Sequence, residues 1–393
     1  MNREETEKTV VGIPNRFILA ELPTGYGKTR LALDRMAKTI TPGIGVKILI
    51  VVPRIVLIQN WTNEFRKWGY EYYLNFTEFV TYVSFPKKAD SYDLIIFDEV
   101  HHLSERCRDS LENFWARNVI MLSATVSRDM KKELAFLFPD LYICKVSTRA
   151  AITDEVLPDP KVFLIPLTLD NTVECCEIVR NRTQKTEITI PYSQRFNYYR
   201  IKNRKIIIKC TQKQFYDDIS STVAYYKRRM FNEVSKNMFL RKSGERLKWL
   251  SNQKTSFVKN LLNYTLQDQR TLTFCNGIPQ TEELGKYCVN SKNQESRNNL
   301  EKFNAGKINH ITACNMLDEG VNLTDCKVGV YATLNSSDRM ITQKLGRLLR
   351  HPNPVLVIPY FKNTRDEEIA NKMLEDYNPE LVTTVTNLNQ IIL

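Results

Sequence analysis

Leu22-Pro23-Thr24-Gly25-Tyr26-Gly27-Lys28-Thr29 follows the apolar run Phe17–Glu21 and opens onto the amphipathic stretch Arg30–Ile40. Strand, glycine turn and helix in that order make a phosphate cradle. The glycines let successive backbone N–H groups face anionic oxygens, and the helix N-terminus adds partial positive charge. Lys28 is the expected cation for the β- and γ-phosphates of a nucleoside triphosphate, and Thr29 offers a hydroxyl to Mg2+. Pro23, Thr24, Gly25, Tyr26 and Gly27 complete the nucleotide-binding set. The stricter phosphate-loop pattern has glycine where Leu22 stands, so the loop meets that pattern incompletely.

Two further clusters give the loop its partners. Asp98-Glu99-Val100-His101 ends the apolar run Asp93–Phe97. Two carboxylates there are costly without a cation, and Mg2+ supplies one. Asp98 is expected to hold the metal, and Glu99 to orient and deprotonate an attacking water. His101, with Ser123 and Thr125 at the end of Val119–Leu122, is expected to couple the site to its neighbours. His102 reads as a helix-start residue. Far down the chain, Gln343, Gly346, Arg347 and Arg350 fall on one helical face. Arg347 and Arg350 are candidates for the γ-phosphate, because arginine stays charged and presents a fixed fork of donors.

The first third of the chain alternates apolar runs with amphipathic helices, the pattern of a parallel sheet with crossover helices. Val46–Val52 is a further expected strand. After Leu157-Pro158-Asp159-Pro160 come Val162–Leu169, Glu187–Pro191 and Arg204–Lys209 with no helix between, read as a small antiparallel accessory sheet, and then the helical stretch Thr211–Leu250. From about Thr255 the alternation resumes, with strands at Leu272–Cys275, Ile308–Cys314 and Val355–Ile358 and helices at Pro279–Val289 and Ser337–Leu348. The expected architecture is therefore α/β: a nucleotide-binding domain over 1–158, a basic accessory insertion over 159–254 and a second α/β domain over 255–393.

Charge is unevenly distributed. Arg180–Lys254 carries 19 Lys/Arg and 5 Asp/Glu, a net of +14, against +12 for all 393 residues. The remainder is thus about −2. Tyr192, Phe196, Tyr198, Tyr199, Tyr225, Tyr226 and Phe231 interleave these cations. Cations neutralise phosphates and aromatic faces stack on bases, so nucleic acid is the expected partner. Arg200, Lys202, Arg204 and Lys205 are the leading contacts. The first ten residues lack the apolar core of a signal peptide, the run Val46–Ile58 is broken by Lys47, Pro53 and Arg54, and the nine cysteines form no CxxC pair. A cytoplasmic protein with reduced thiols and no zinc site is expected.

Taken in order, these motifs resemble those of superfamily 2 nucleic-acid helicases of the DExH type, the branch with repair helicases, restriction-enzyme motor subunits and phage helicases. Leu22–Thr29 is similar to motif I, and Val52-Pro53-Arg54 with Gln59-Asn60-Trp61 to motif Ia; Thr81-Tyr82 resembles the short contact after it. Asp98–His101 is similar to motif II, Ser123–Thr125 to III, Thr273-Phe274-Cys275-Asn276 to IV, Asn315–Asn322 to V and Gln343–Arg350 to VI. Only about Asp159–Leu250 lies outside the resemblance. It implies two RecA-like parallel-sheet domains, ATP and Mg2+ between them, with Gly320, Gln343, Arg347 and Arg350 reaching the nucleotide from the second. It also implies a nucleic-acid strand near Pro53, Arg54, Thr81 and Asn276.

The resemblance departs in two places. Members usually carry an arginine and a glutamine upstream of motif I to read adenine, whereas here the first glutamine is Gln59, so base recognition is expected to be loose. Only 43 residues follow Arg350, which suggests a stripped motor of phage or mobile-element type, with specificity in the insertion. An ATP-dependent DNA helicase or translocase is the favoured reading. The alternatives are an RNA helicase, an ATPase switch on nucleic acid without strand separation, and an ATPase clamp on protein partners, against which the +14 segment argues.

Overall fold

The computed structural model describes residues 3–88, 90–181, 183–290, 292–314, 323, 325–334, 351–375 and 377–391. The first unit is a six-stranded parallel sheet of β1 (Phe17–Glu21), β2 (Ile48–Val52), β3 (Thr77–Thr81), β4 (Ser91–Asp98), β5 (Trp115–Ser123) and β6 (Tyr142–Lys145), in the order β3-β2-β4-β5-β1-β6. Helices Lys28–Thr39 and Val56–Lys67 link β1 to β2 and β2 to β3. A parallel sheet covered on both faces needs strands apolar on both sides. β2, Ile-Leu-Ile-Val-Val, is buried at all five positions.

The next strand, β7 (Lys161–Leu167), does not join the accessory sheet expected for Val162–Leu169. It pairs in parallel along its full length with the late strand Val355–Phe361. A seven-stranded parallel sheet results from β7 with β11 (Thr271–Phe274), β12 (Cys288–Val289), β13 (His310–Ala313), β14 (Val328–Tyr331), β15 (Val355–Phe361) and β16 (Val382–Thr384), in the order β12-β13-β11-β14-β15-β7-β16. The run Val162–Ile165 is buried throughout, as fits a strand inside a parallel sheet covered on both faces. Pro166 and Pro359 fit because β16 pairs only with Val162–Leu164 of β7, and β14 only with Val355–Val357 of β15, so neither proline removes a ladder bond on those sides.

The insertion proper begins later. β8 (Cys176–Arg180), β9 (Glu187–Pro191) and β10 (Lys205–Cys210) form a three-stranded mixed sheet, antiparallel for β8–β10 and parallel for β9–β10, rather than the antiparallel one expected. The helical stretch is two helices, Gln212–Lys227 and Glu233–Gln253. A capping box of Thr211 and Gln214 starts the first, and the Asn232 side chain caps the second. The expected helix Pro279–Val289 ends at Leu284, followed by extended Gly285 and then β12. The expected helix Ser337–Leu348 lies outside the described residues. No helix among those described is long and apolar enough to cross a membrane.

Where the hairpin enters the second sheet, the join is polar and buried. Lys254 is fully buried, its Nζ 2.8 Å from Asp366 Oδ2 and 3.3 Å from the Pro359 carbonyl. Ser251 Oγ donates to the Ala332 carbonyl at 2.8 Å, and Gln280 Nε2 donates to Ser251 O at 2.9 Å. Breaking a buried pair leaves one charge without compensation. Asp366→Ala is expected to lower the stability of this unit by about 3–5 kcal/mol. Hydrogen exchange at the β15 amides under increasing denaturant measures it, and a loss below about 1 kcal/mol would show the pair to be dispensable.

Candidate nucleotide and nucleic-acid site

The phosphate loop leaves β1 at a height set by pairing with β5. Glu21 is opposite Ser123, and Leu22 N–H continues the ladder to Ser123 O at 3.0 Å. Leu22 is fully buried, so a core role accounts for leucine where the stricter pattern has glycine. Gly25 and Gly27 adopt φ of +91° and +100°, in the left-handed region. The positive φ is what requires glycine at both positions; a Cβ would also press on Leu157 Cδ2 at 3.2 Å from Gly25 and on the Arg3 tip at 3.1 Å from Gly27. The Tyr26 ring is buried and its hydroxyl donates to Thr6 Oγ1 at 3.1 Å; burial pushes its pKa up. Lys28 Nζ donates to Leu22 O at 3.1 Å, which curls the side chain back over the loop. Thr24 Oγ1 is buried with no hydrogen-bond partner among the described residues.

Asp98 is the last residue of β4 and Glu99 turns away from it with φ +53°, unusual for a residue with a Cβ and worth of order 1 kcal/mol in strain. That turn swings the two carboxylates to different neighbours. Asp98 Oδ2 accepts from Trp61 Nε1 at 2.9 Å, and its carbonyl accepts from Tyr82 OH at 2.8 Å. Glu99 Oε2 is 3.3 Å from His101 Nδ1 and 3.4 Å from Ser123 Oγ. His101 Nδ1 is 2.9 Å from Ser123 Oγ, which in turn lies 2.9 Å from Thr125 O and accepts from Thr125 N–H at 3.3 Å. Of the three residues expected to couple the site, His101 and Ser123 meet at the Glu99 carboxylate, and Thr125 reaches Ser123 through its backbone. His102 lies in the short turn Val100–His102, its ring packed on His101 and Tyr82.

Thr24, Gly25, Gly27, Lys28, Thr29, Asp98 and Glu99 border a cavity of about 580 Å³, within the usual range for a small-ligand site. Its far wall comes from the helix Val56–Lys67 and Trp68, with the Arg30 guanidinium 4.3 Å over the Trp68 ring. Arg3 also faces the cavity. Sequence reasoning missed Arg3, Arg30, Trp61 and Trp68 as pocket residues. In the sequence Trp61 stands out only within the stretch similar to motif Ia, and its spacing with Phe65 reads equally well as core.

Pro53 and Arg54 follow β2 and Thr81 ends β3; the pairing of Val52 with Thr81 sets them side by side on the rim that carries Asp98. Asn276 sits just past β11 in the second sheet. Its amide donates to the Lys248 carbonyl and to Asn252 Oδ1 at 3.2 and 2.9 Å, tying β11 to the hairpin. In the insertion Arg200, Lys202 and Arg204 are exposed, whereas Lys205 Nζ lies 2.5 Å from Glu187 Oε1 on the paired strand. Arg200 Nε donates to Tyr199 OH at 3.3 Å. Gly320, Gln343, Arg347 and Arg350 lie outside the described residues.

Residues 4–87 match the family model for the res subunit of type III restriction enzymes, and residues 253–352 that for the helicase conserved C-terminal domain. The DNA 3'-5' translocase XPB2 of Sulfurisphaera tokodaii is 24% identical over 373 residues, spanning 90% of this chain and 80% of that protein. Among solved structures, S. cerevisiae Dbp5 bound to RNA and ADP BeF3 aligns with a TM-score of 0.61 over 98% of this chain and 88% of its own, at 12% identity. The Pyrococcus furiosus Hef helicase domain aligns at 0.51, 15% identical, over 94% and 97%. A fragment of a type I restriction enzyme HsdR subunit from Vibrio vulnificus YJ016 aligns at 0.59, 16% identical, over 98% and 68%. At those identities the structural likeness speaks to the fold, two RecA-like domains. With the helicase models at both ends, and a phosphate loop beside an Asp-Glu pair on one sheet rim, the chain belongs to the superfamily 2 helicases and is an ATP-hydrolysing enzyme.

Proposed function

We propose that this enzyme is a DNA translocase and helicase that couples ATP hydrolysis to movement along DNA or its remodelling. The observation that carries the reading is the convergence of the phosphate loop, Asp98 and Glu99 around one cavity, with Ser123 Oγ behind Glu99 at 3.4 Å, in a chain whose excess positive charge sits in a separate insertion. DNA is favoured over RNA because the relative spanning 90% of the chain is a DNA translocase.

In this reading the backbone from Pro23 to Gly27 and the Lys28 ammonium bind the phosphates, and the buried Thr24 hydroxyl has a donor to offer them. Mg2+, held by Thr29 and Asp98, would neutralise charge developing on the β- and γ-phosphate oxygens. Trp61 holds the Asp98 carboxylate in one orientation. Glu99 takes the proton from the attacking water, and His101 and Ser123 keep its carboxylate aimed. Gly320, Gln343, Arg347 and Arg350 complete the site from the second domain, so hydrolysis follows closure of the two domains. Nucleic acid bound across both favours that closed state, and linkage requires ATP to alter nucleic-acid affinity by the same factor. Pro53, Arg54, Thr81, Arg200, Lys202 and Arg204 supply nucleic-acid contacts.

The deciding experiment is the ATPase rate with single-stranded DNA, duplex, forked DNA and RNA. Acceleration by DNA supports the reading, acceleration by RNA alone would shift it to an RNA helicase, and no acceleration by any of them would remove it. Lys28→Ala should weaken ATP binding, while Glu99→Gln should bind ATP normally and lose hydrolysis. Equal ATP affinity in Lys28→Ala and wild type would contradict the role of Lys28. Arg350→Ala should retain ATP binding and lose about 10³–10⁵ of the DNA-stimulated rate, and a rate within twofold of wild type would exclude Arg350 from the site. Because Lys205 is already paired with Glu187, the triple change Arg200→Gln, Lys202→Gln and Arg204→Gln should flatten the slope of log affinity against log salt by about 2–3 units. An unchanged slope would mean that this patch faces only solvent.

A further inference from the structure

The connection between helices Gln212–Lys227 and Glu233–Gln253 is built from residues that a turn does not need. The helices carry their own buried side chains, Tyr216, Ile219 and Val223 on one and Leu250 on the other. Asn232 suffices to cap the second, accepting from Ser235 N–H at 2.7 Å. Yet at the apex Phe231 is 85% exposed, Val234 74%, Tyr225 51% and Met230 42%. Exposed apolar groups gathered in one place mark an interaction surface. The Arg229 guanidinium lies 3.8 Å over the Tyr225 ring. Between Asp218 and Glu245 the sequence holds one acid, Glu233, against Lys227, Arg228, Arg229, Lys236, Arg241 and Lys242. An apex with this charge fits a polyanion that also offers flat apolar faces.

Inside a duplex the base faces are covered by stacking. The last pair where a duplex opens has a free face, and an exposed ring on a convex apex can reach it. We infer that this apex is a junction-recognition element: Phe231 stacks on the open face of the last base pair at a fork, while Lys227, Arg228 and Arg229 hold the flanking phosphates. The inference rests on the proposed action on nucleic acid and specifies where the duplex end is met.

Binding of the full chain to a fork and to a single strand of equal length, at several salt concentrations, tests it. Base stacking on an aromatic ring sets the expected loss of fork affinity in Phe231→Ala at about 5- to 100-fold. Phe231→Tyr should retain the fork affinity, and single-strand affinity should change much less. The triple change Lys227→Gln, Arg228→Gln and Arg229→Gln should flatten the salt slope by about 2–3 units. Fork binding by Phe231→Ala within twofold of wild type overturns the assignment. Equal loss for fork and single strand also overturns it, making Phe231 a general stacking platform, and so does a Phe231-dependent preference for anionic vesicles over forks. If no nucleic acid binds or accelerates hydrolysis, the proposed function itself falls; if single strands accelerate hydrolysis and fork binding ignores Phe231, only the apex assignment falls.

Discussion

Parallel pairing of β4, β5 and β1 is the constraint on which the site depends. Three strands running the same way must end on the same edge, and their spacing of about 4.8 Å brings the groups beyond those ends within hydrogen-bond reach of one another. Glu21 opposite Ser123 and Asp98 opposite Leu122 fix the heights of the three termini. From that register follow the bond of Leu22 N–H to Ser123 O and the meeting of Glu99, His101 and Ser123. A shift of one residue in β5 would turn Ser123 to the opposite face and leave Glu99 without this hydroxyl.

The edge is braced from behind. Glu21 is nearly buried at the end of β1, where it forms an ion pair with Lys131 and accepts from the Val126 N–H at 3.3 Å. A lone carboxylate there would be costly, and its partners come from the segment that follows Ser123-Ala124-Thr125. Loop and motif are thus held by the same strand ends. The Trp61 bond to Asp98 serves similarly from the other side, joining the helix after β2 to the end of β4.

The insertion is attached by contacts of another kind. Ser251, Lys254, Asn276 and Gln280 form a hydrogen-bonded join between the hairpin and the second sheet, and Tyr216 OH accepts from Arg365 N–H at 2.7 Å. Buried polar groups of this sort specify one geometry, because each loses its partner if the helix slides. The hairpin, with nine Lys/Arg against four Asp/Glu, is therefore tied to the second sheet, and its apex is carried by that unit rather than by the phosphate-binding one.

The phosphate loop, the Asp98-Glu99 pair, four of the six strands of the first sheet and the basic segment were legible in the sequence by itself, because each depends on local rules: glycine where φ is positive, apolar runs for buried strands, carboxylates at a strand end. The helical character of Thr211–Leu250 was legible too, but not its division into two helices at Asn232. Tertiary structure alone decided that Val162–Ile165 enters the sheet of β15, almost two hundred residues away, because a run of that length suits an accessory strand or an interior one equally well until its partner is known. It alone put Trp61 on Asp98, committed the Asn276 amide to the hairpin and neutralised Lys205 with Glu187. Those outcomes turn on which side chains meet through space, and pattern along a chain does not encode the distance between residues that the fold brings together.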